Sequence, residues 1–283
     1  MNKLQGRTAV VTGGGSGLGR ELALSCARRG MSVAIGDVDE AGMAATVERL
    51  AAECPRVGFS QHVLDVSKAE AVEAFAAEVW ERYGGVHVVF NNAGVAVNGP
   101  IWEHTEADWQ WVLGVNLQGV AWGIRAFVPR MIAQGEGHIV NTASAAGWVN
   151  APGSGIYNAS KCAVVAMTET LALDLRDVEA DIGVTLLSPA FFPTPITDSA
   201  RNRPADLADS APASELRKRR EQELRRAVEH GRIPADRIAE QTLEAVEQGR
   251  FYVFPHAKIK DLVRARAEAA HAEGPVFDTL AGR

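Results

Sequence analysis

Tyr157 and Lys161 stand four residues apart in the stretch YNASK, a spacing that places a phenol and an ammonium on one face of a helix. Free tyrosine titrates near about pH 10, too high for a base at neutral pH, but a neighbouring ammonium favours the phenolate and pulls that value down. The spacing allows one acid–base device, although the same pattern also arises by chance in two solvated side chains. Ser144 lies thirteen residues earlier, at the end of the apolar run GHIVNTAS. A hydroxyl there projects beyond the carboxyl end of a strand, where parallel sheets bind their ligands. Asn116, in DWQWVLGVNLQGVAWG, is an indifferent helix former among apolar neighbours and by itself reads as a satisfied core amide.

A second cluster could hold phosphate. In VVTGGGSGLGRELAL, Gly13, Gly17 and Gly19 fall between a strand and a helix, so the backbone can turn tightly and bring helix N-terminal N–H groups to a diphosphate. The spacing is GxxxGxG, not the GxGxxG of the general dinucleotide fingerprint. Asp37 ends the next apolar strand, eighteen residues after Gly19, where a carboxylate can accept hydrogen bonds from the adenosine ribose. A carboxylate there repels a 2′-phosphate, and neither Ser16 nor Val38 supplies a cation to offset it. The expected cofactor is NAD rather than NADP. The simpler role for Asp37 is to cap the helix beginning near residue 39.

These groups need a rigid frame. Short Val- and Ile-rich runs at 8–13, 31–37, 58–66, 86–94, 137–144, 182–190 and 251–255 alternate with helical patterns, which predicts an α/β fold: seven parallel strands covered on both faces. Crossover helices follow the first three strands, with Gly30 and Gly84 as stops, and two longer helices span about 106–133 and 155–177. Residues 191–232 begin with a Pro-rich stretch and continue into a charged helix bearing Arg217, Lys218, Arg219 and Arg220; an insertion of this kind is expected to act as a substrate lid. The division is a catalytic domain over 1–255 and a C-terminal extension over 256–283, expected at the surface or between subunits.

A composition of 47% hydrophobic and 23% charged residues suits a globular chain, and a net charge of −6 offers no basic field for nucleic acid or anionic lipid. No apolar run approaches the length of a membrane span. Three cysteines, Cys26, Cys54 and Cys162, are too scattered for a disulfide framework or a metal motif. With no signal-peptide pattern at the N-terminus, a cytoplasmic address is expected.

Taken together, TGGGSGLG (12–19), NNAG (91–94), Asn116, Ser144 and YNASK resemble the short-chain dehydrogenase/reductase family over residues 7 to about 195. The resemblance implies a single-domain, doubly wound Rossmann fold, a homodimer or homotetramer, no metal, and an Asn-Ser-Tyr-Lys catalytic set. Tyr157 becomes the acid/base, Ser144 the orienting hydroxyl, Lys161 the group that lowers the Tyr157 pKa and holds the nicotinamide ribose, and Asn116 the anchor of a water-linked proton relay. It also implies cofactor contacts from Ser16, Leu18, Asp65, Val66, Asn92, Ala93, Gly94, Pro189, Phe192 and Thr194. One departure is Pro189-Ala190 where the family has Pro-Gly, which puts the backbone path beside the nicotinamide in question. Trp148, Phe191, Phe192 and Trp102 are candidates for an apolar substrate pocket, and the chain resembles family members that oxidise bulky secondary alcohols, including aryl-propane and lignin-derived benzylic alcohols. The expected partner is a small molecule. A 3-oxoacyl thioester reductase and a non-catalytic NAD-binding regulator are the alternatives; the basic lid helix could draw an anionic substrate or simply be a solvated face.

Overall fold

The computed structural model describes residues 4–208 and 213–279; residues 209–212 of the expected lid, and both ends of the chain, lie outside the described residues. The strands are β1 (Thr8–Thr12), β2 (Ser32–Asp37), β3 (Phe59–Val63), β4 (Val88–Asn91), β5 (Gly137–Thr142), β6 (Ile182–Leu187) and β7 (Tyr252–Val253). They form one parallel sheet in the order β3-β2-β1-β4-β5-β6-β7. The chain runs outward from β1 in one direction, then returns to build outward from β4 in the other. The reversal opens a crevice beyond the carboxyl ends of β1 and β4, the place where such sheets bind ligands.

Strands buried on both faces carry apolar residues continuously. Along β1, Ala9 and Val11 point to one core and Val10 to the other, as the two-residue period of a strand requires. The first core receives α1 (Gly17–Arg28), α2 (Glu40–Glu53) and α8 (Ala235–Gln248); the second receives α3 (Ala69–Tyr83), α5 (Gly119–Gln134) and α6 (Gly155–Asp177). Gly84 ends α3 in the left-handed conformation, φ 72°, which glycine adopts without a Cβ penalty. Helix α8 is an addition to the expected elements. Its buried Ile238, Ala239, Thr242, Leu243, Ala245 and Val246 are the helical stripe that seats it against α1.

Three boundaries differ from expectation. The helix anticipated at 106–133 is divided into α4 (Glu106–Leu113), a π-helical turn (Gly114–Gln118) and α5. Strand β3 stops at Val63 because Asp65 turns the chain, its Oδ1 accepting from Ser67 N at 2.9 Å and from the Ser67 hydroxyl at 2.7 Å. Strand β7 has two residues rather than five: it lies at the sheet edge, and Pro255 just beyond it has no N–H for a ladder.

The chain between β6 and α8 contains 3₁₀ turns at Pro195–Asn202 and Ala205–Leu207, followed by α7 (Glu215–Glu229). Asp108 fastens both parts to the domain. This fully buried carboxylate meets Arg203 Nη1 at 2.6 Å and Arg217 Nη2 at 3.6 Å, and also accepts from Thr105 N at 3.1 Å in the capping box of α4. Although burial pushes its pKa up, the adjacent His104 ring, hydrogen bonds from Arg203 and Thr105 and the charge of Arg217 hold it well below the usual carboxylate range. A depressed carboxylate stabilises the fold above its unfolded pKa of about 3.9, and the contribution is lost as pH falls below that value. Asp108→Asn is therefore expected to cost several kcal/mol, roughly 3–5, at pH 7, with the deficit relative to the parent protein shrinking below about pH 4; urea denaturation at pH 7 and pH 3 measures it.

Candidate active site

The crevice is held open by Thr12, the last residue of β1. Its hydroxyl donates to Phe90 O at 3.2 Å and accepts from Asn92 N and Ala93 N at 2.9 and 3.1 Å, while Asn92 Nδ2 donates to Thr12 O at 3.0 Å. The glycine turn thus lies directly against the loop after β4. A Cβ on Gly13 would sit 2.9 Å from Ala93 Cα, and one on Gly19 only 2.0 Å from Gly13 O. Gly13 and Gly17 also have φ of +70° and +49°. Both crowding and conformation therefore explain the glycines, and a groove wide enough for a diphosphate follows the N-terminus of α1.

Asp37 closes one end of this groove. Its Oδ2 accepts from Gly15 N at 2.9 Å and its Oδ1 from Asp39 N at 3.0 Å, so it holds the turn in shape and keeps lone pairs for another donor. Asp37 is not the cap of α2; Asp39 is, accepting from Gly42 N at 2.9 Å. Around the same cavity lie Ser16, Gly17, Leu18, Gly19, Asp65, Val66, Asn92, Ala93, Gly94, Pro189, Phe192 and Thr194. Thr194 reaches across from the loop after β6, its Oγ1 2.8 Å from where a Cβ on Gly17 would be. Ala190 does not take a positive φ, and its N–H donates to His256 Nδ1 at 3.2 Å. An alanine therefore follows the backbone path that Pro189-Ala190 had put in question.

At the far end, Ser144, Tyr157 and Lys161 line the same cavity. Ser144 caps a 3₁₀ turn after β5, its hydroxyl accepting from Ala146 N at 3.1 Å and donating to Pro189 O at 3.4 Å. Burial raises the Tyr157 pKa, and the neighbouring Ser144 hydroxyl opposes that rise. Lys161 Nζ donates to Thr142 O at 2.8 Å and lies 5.8 Å from the Tyr157 ring centre. Burial lowers the Lys161 pKa itself to about 8, so the ammonium persists at neutral pH.

Asn116 sits in the π-helical turn, a local underwinding common at functional sites. Its Oδ1 accepts from Val95 N at 2.8 Å, and its Nδ2 donates to Val95 O at 2.9 Å and Ser160 Oγ at 3.2 Å. The side chain is buried and both ends of its amide are engaged, tying the loop after β4 to α6.

Two aromatic candidates do not face the cavity. Trp148 donates from Nε1 to Ser188 Oγ at 2.9 Å, and its ring packs against Tyr252 and Phe254. Trp102 is 79% exposed. Both were read from loop position, which does not specify the direction of a side chain. Phe191 and Phe192 do line the cavity, together with Val149, Ile196, Leu224, Ile259 and Leu262. These last five carried no local sequence signal. Arg201 was also unsuspected: its guanidinium approaches Ser16 Oγ at 3.5 Å and Asp39 Oδ2 at 4.0 Å. The basic run on α7 is internally paired, with Lys218 on Glu215 and both Arg219 and Arg220 on Glu223, which favours the solvated-face reading. Among the described residues there is no cluster suited to a metal ion, and no helix is long and apolar enough to cross a membrane.

The model of the short chain dehydrogenase family matches residues 7–205. The chain belongs to the short-chain dehydrogenase/reductase family. Among the relatives of this oxidoreductase, a Lactiplantibacillus plantarum protein named CLA biosynthesis dehydrogenase/reductase is 31% identical, the match covering 97% of this chain and 96% of the relative. A Sphingobium protein named C alpha-dehydrogenase is 33% identical over 92% of this chain and 84% of its own. A crystal structure of a short-chain dehydrogenase/reductase from Burkholderia phymatum, in complex with NAD, superposes with a TM-score of 0.97 at 44% identity, covering 99% of this chain and 100% of that one.

The environment of Tyr157 has a direct spectroscopic consequence. In the cofactor-free enzyme, the ultraviolet difference between parent and Tyr157→Phe is expected to show no phenolate until above the ordinary tyrosine value of about pH 10. A phenolate signal growing in near pH 7 would contradict the burial argument.

Proposed function

We propose that this enzyme transfers hydride between NAD and a secondary alcohol/ketone pair, with a bulky or aromatic substituent on the carbinol carbon. The observation that carries this reading is the convergence of Ser144, Tyr157 and Lys161 on the cavity that also contains the glycine turn and Asp37. NAD is supported by the cradle: Gly13, Gly17 and Gly19 admit a diphosphate, and Asp37 presents a carboxylate to the adenosine ribose while opposing a 2′-phosphate. The nicotinamide, when bound, supplies the hydride acceptor or donor.

The protein contributes position and a proton path. Ser144 holds the substrate oxygen through its hydroxyl, beside Tyr157 in the same cavity. Tyr157 Oη takes the alcohol proton in oxidation and returns it in reduction. Lys161, buried and anchored on Thr142 O, holds a positive charge beside that phenol and donates to the ribose. Because burial by itself keeps Tyr157 protonated, the base form gains its stability from the cationic site assembled around it. Asn116 secures the α6 end of the path by bridging Val95 and Ser160, and serves as the anchor for a water-linked relay.

A cavity of about 1390 Å³ is ample for a dinucleotide and a large alcohol together. Phe191, Val149, Ile196 and Leu224 give its outer part an apolar lining, which favours a bulky or aromatic group over a small polar one. The internally paired α7 gives no preference for an anionic thioester. A cytoplasmic address and a homodimeric or homotetrameric assembly accompany this reading.

Tyr157→Phe removes the hydroxyl while keeping the ring. It is expected to lower kcat for alcohol oxidation by roughly 10²–10⁴ with little change in NAD affinity, measured by NADH formation and by cofactor titration. Near-parental turnover in the variant would overturn the assignment; cofactor binding without turnover in the parent, on alcohols and matching ketones alike, would favour a regulator. Asp37→Ala is expected to erode the preference for NAD over NADP in parallel kcat/KM measurements.

A further inference from the structure

The segment after β7 leaves the sheet and borders the cavity, which His256, Ile259, Leu262 and Thr279 help to line. Three contacts hold it there. His256 Nδ1 accepts from Ala190 N at 3.2 Å, Arg266 Nη1 donates to Trp148 O at 2.9 Å, and the Thr279 hydroxyl donates to Asn150 O at 3.4 Å. The partners are backbone groups of the two loops that flank the reactive end, one after β6 and one between Ser144 and Tyr157.

Helix α9 (Lys258–His271) buries no residue completely, so it is not held by a core of its own. Ile259 and Leu262, three residues apart on one face, are half-buried and line the cavity. Apolar side chains that a helix turns toward a ligand cavity, rather than into the domain interior, are available to contact whatever occupies it. This explains why the extension packs against loops that themselves border the site.

From this placement we infer that the C-terminal extension is the outer wall of the substrate site, with Ile259 and Leu262 setting the preference for bulky alcohols. The inference rests on the proposed alcohol dehydrogenase reading and adds which residues select the substrate. The wall touches the distal substituent rather than the carbinol carbon, so its contacts are the same in ground and transition states. Such contacts act on KM and leave kcat largely alone.

The test compares the parent with Ile259→Ala/Leu262→Ala, using 2-butanol and 1-(2-naphthyl)ethanol with NAD. The double variant is expected to lower the naphthyl-to-butyl ratio of kcat/KM by roughly tenfold or more, through KM, and Ile259→Val/Leu262→Met is expected to restore it. An unchanged ratio, or an equal loss on both alcohols, overturns the inference. If the parent oxidises neither alcohol, it is the dehydrogenase reading that fails. The wall is then read separately from binding of the apolar dye 8-anilinonaphthalene-1-sulfonate: weaker binding to the double variant than to the parent supports it, and unchanged binding overturns it.

Discussion

The rest of the site depends on the Thr12 hydroxyl at the point where the sheet changes direction. By donating to Phe90 O and accepting from Asn92 N and Ala93 N, it joins the first strand of one half to the fourth strand, which begins the other. The two loops leaving those strands are then obliged to run side by side. Gly13 follows from that proximity, because a Cβ there would collide with the Ala93 backbone, and Gly19 from the tightness of the turn itself, where a Cβ would strike the Gly13 carbonyl. The dinucleotide groove is therefore a consequence of strand order first and of glycine content second. A threonine is well suited to the junction, since one hydroxyl both gives and receives hydrogen bonds where the regular ladder ends.

The reactive end obeys a different constraint, the cost of burying charge. Lys161 is only 3% exposed, and a buried ammonium is tolerated when a carbonyl accepts from it and its pKa can fall. Thr142 O meets the first condition and the drop to about 8 the second. The protein alone thus holds a protonated phenol and a weakened ammonium close together, both under desolvation.

Much of this was legible in the order of residues. Continuous Val and Ile runs marked the buried strands, and the glycine turn, Asp37, Ser144 and the Tyr157–Lys161 spacing all meet in one cavity, because each is tied to a strand end or a helix face whose geometry is regular. What escaped lies where position in the chain says little about direction. Trp148 turned toward Tyr252 and Phe254, and Trp102 toward solvent. The spacing put Lys161 beside Tyr157 but gave no sign of the carbonyl nineteen residues earlier that accepts from its ammonium. Asp108 had a local signal in its Thr-x-x-Asp capping box, but its two arginine partners come from 95 residues or more along the chain, beyond the reach of any local pattern.

The paired charges of α7 bear on how molecules arrive. Arg217 engages Asp108 and Glu221, Lys218 engages Glu215, and Arg219 and Arg220 share Glu223. Opposite charges held this close cancel beyond a few ångströms, leaving little field to reach past a Debye length of about 8 Å in physiological salt. The run from Arg217 to Arg220 therefore contributes little long-range attraction for an anion. A four-residue run that reads as strongly basic on paper is, in three dimensions, a neutral threshold.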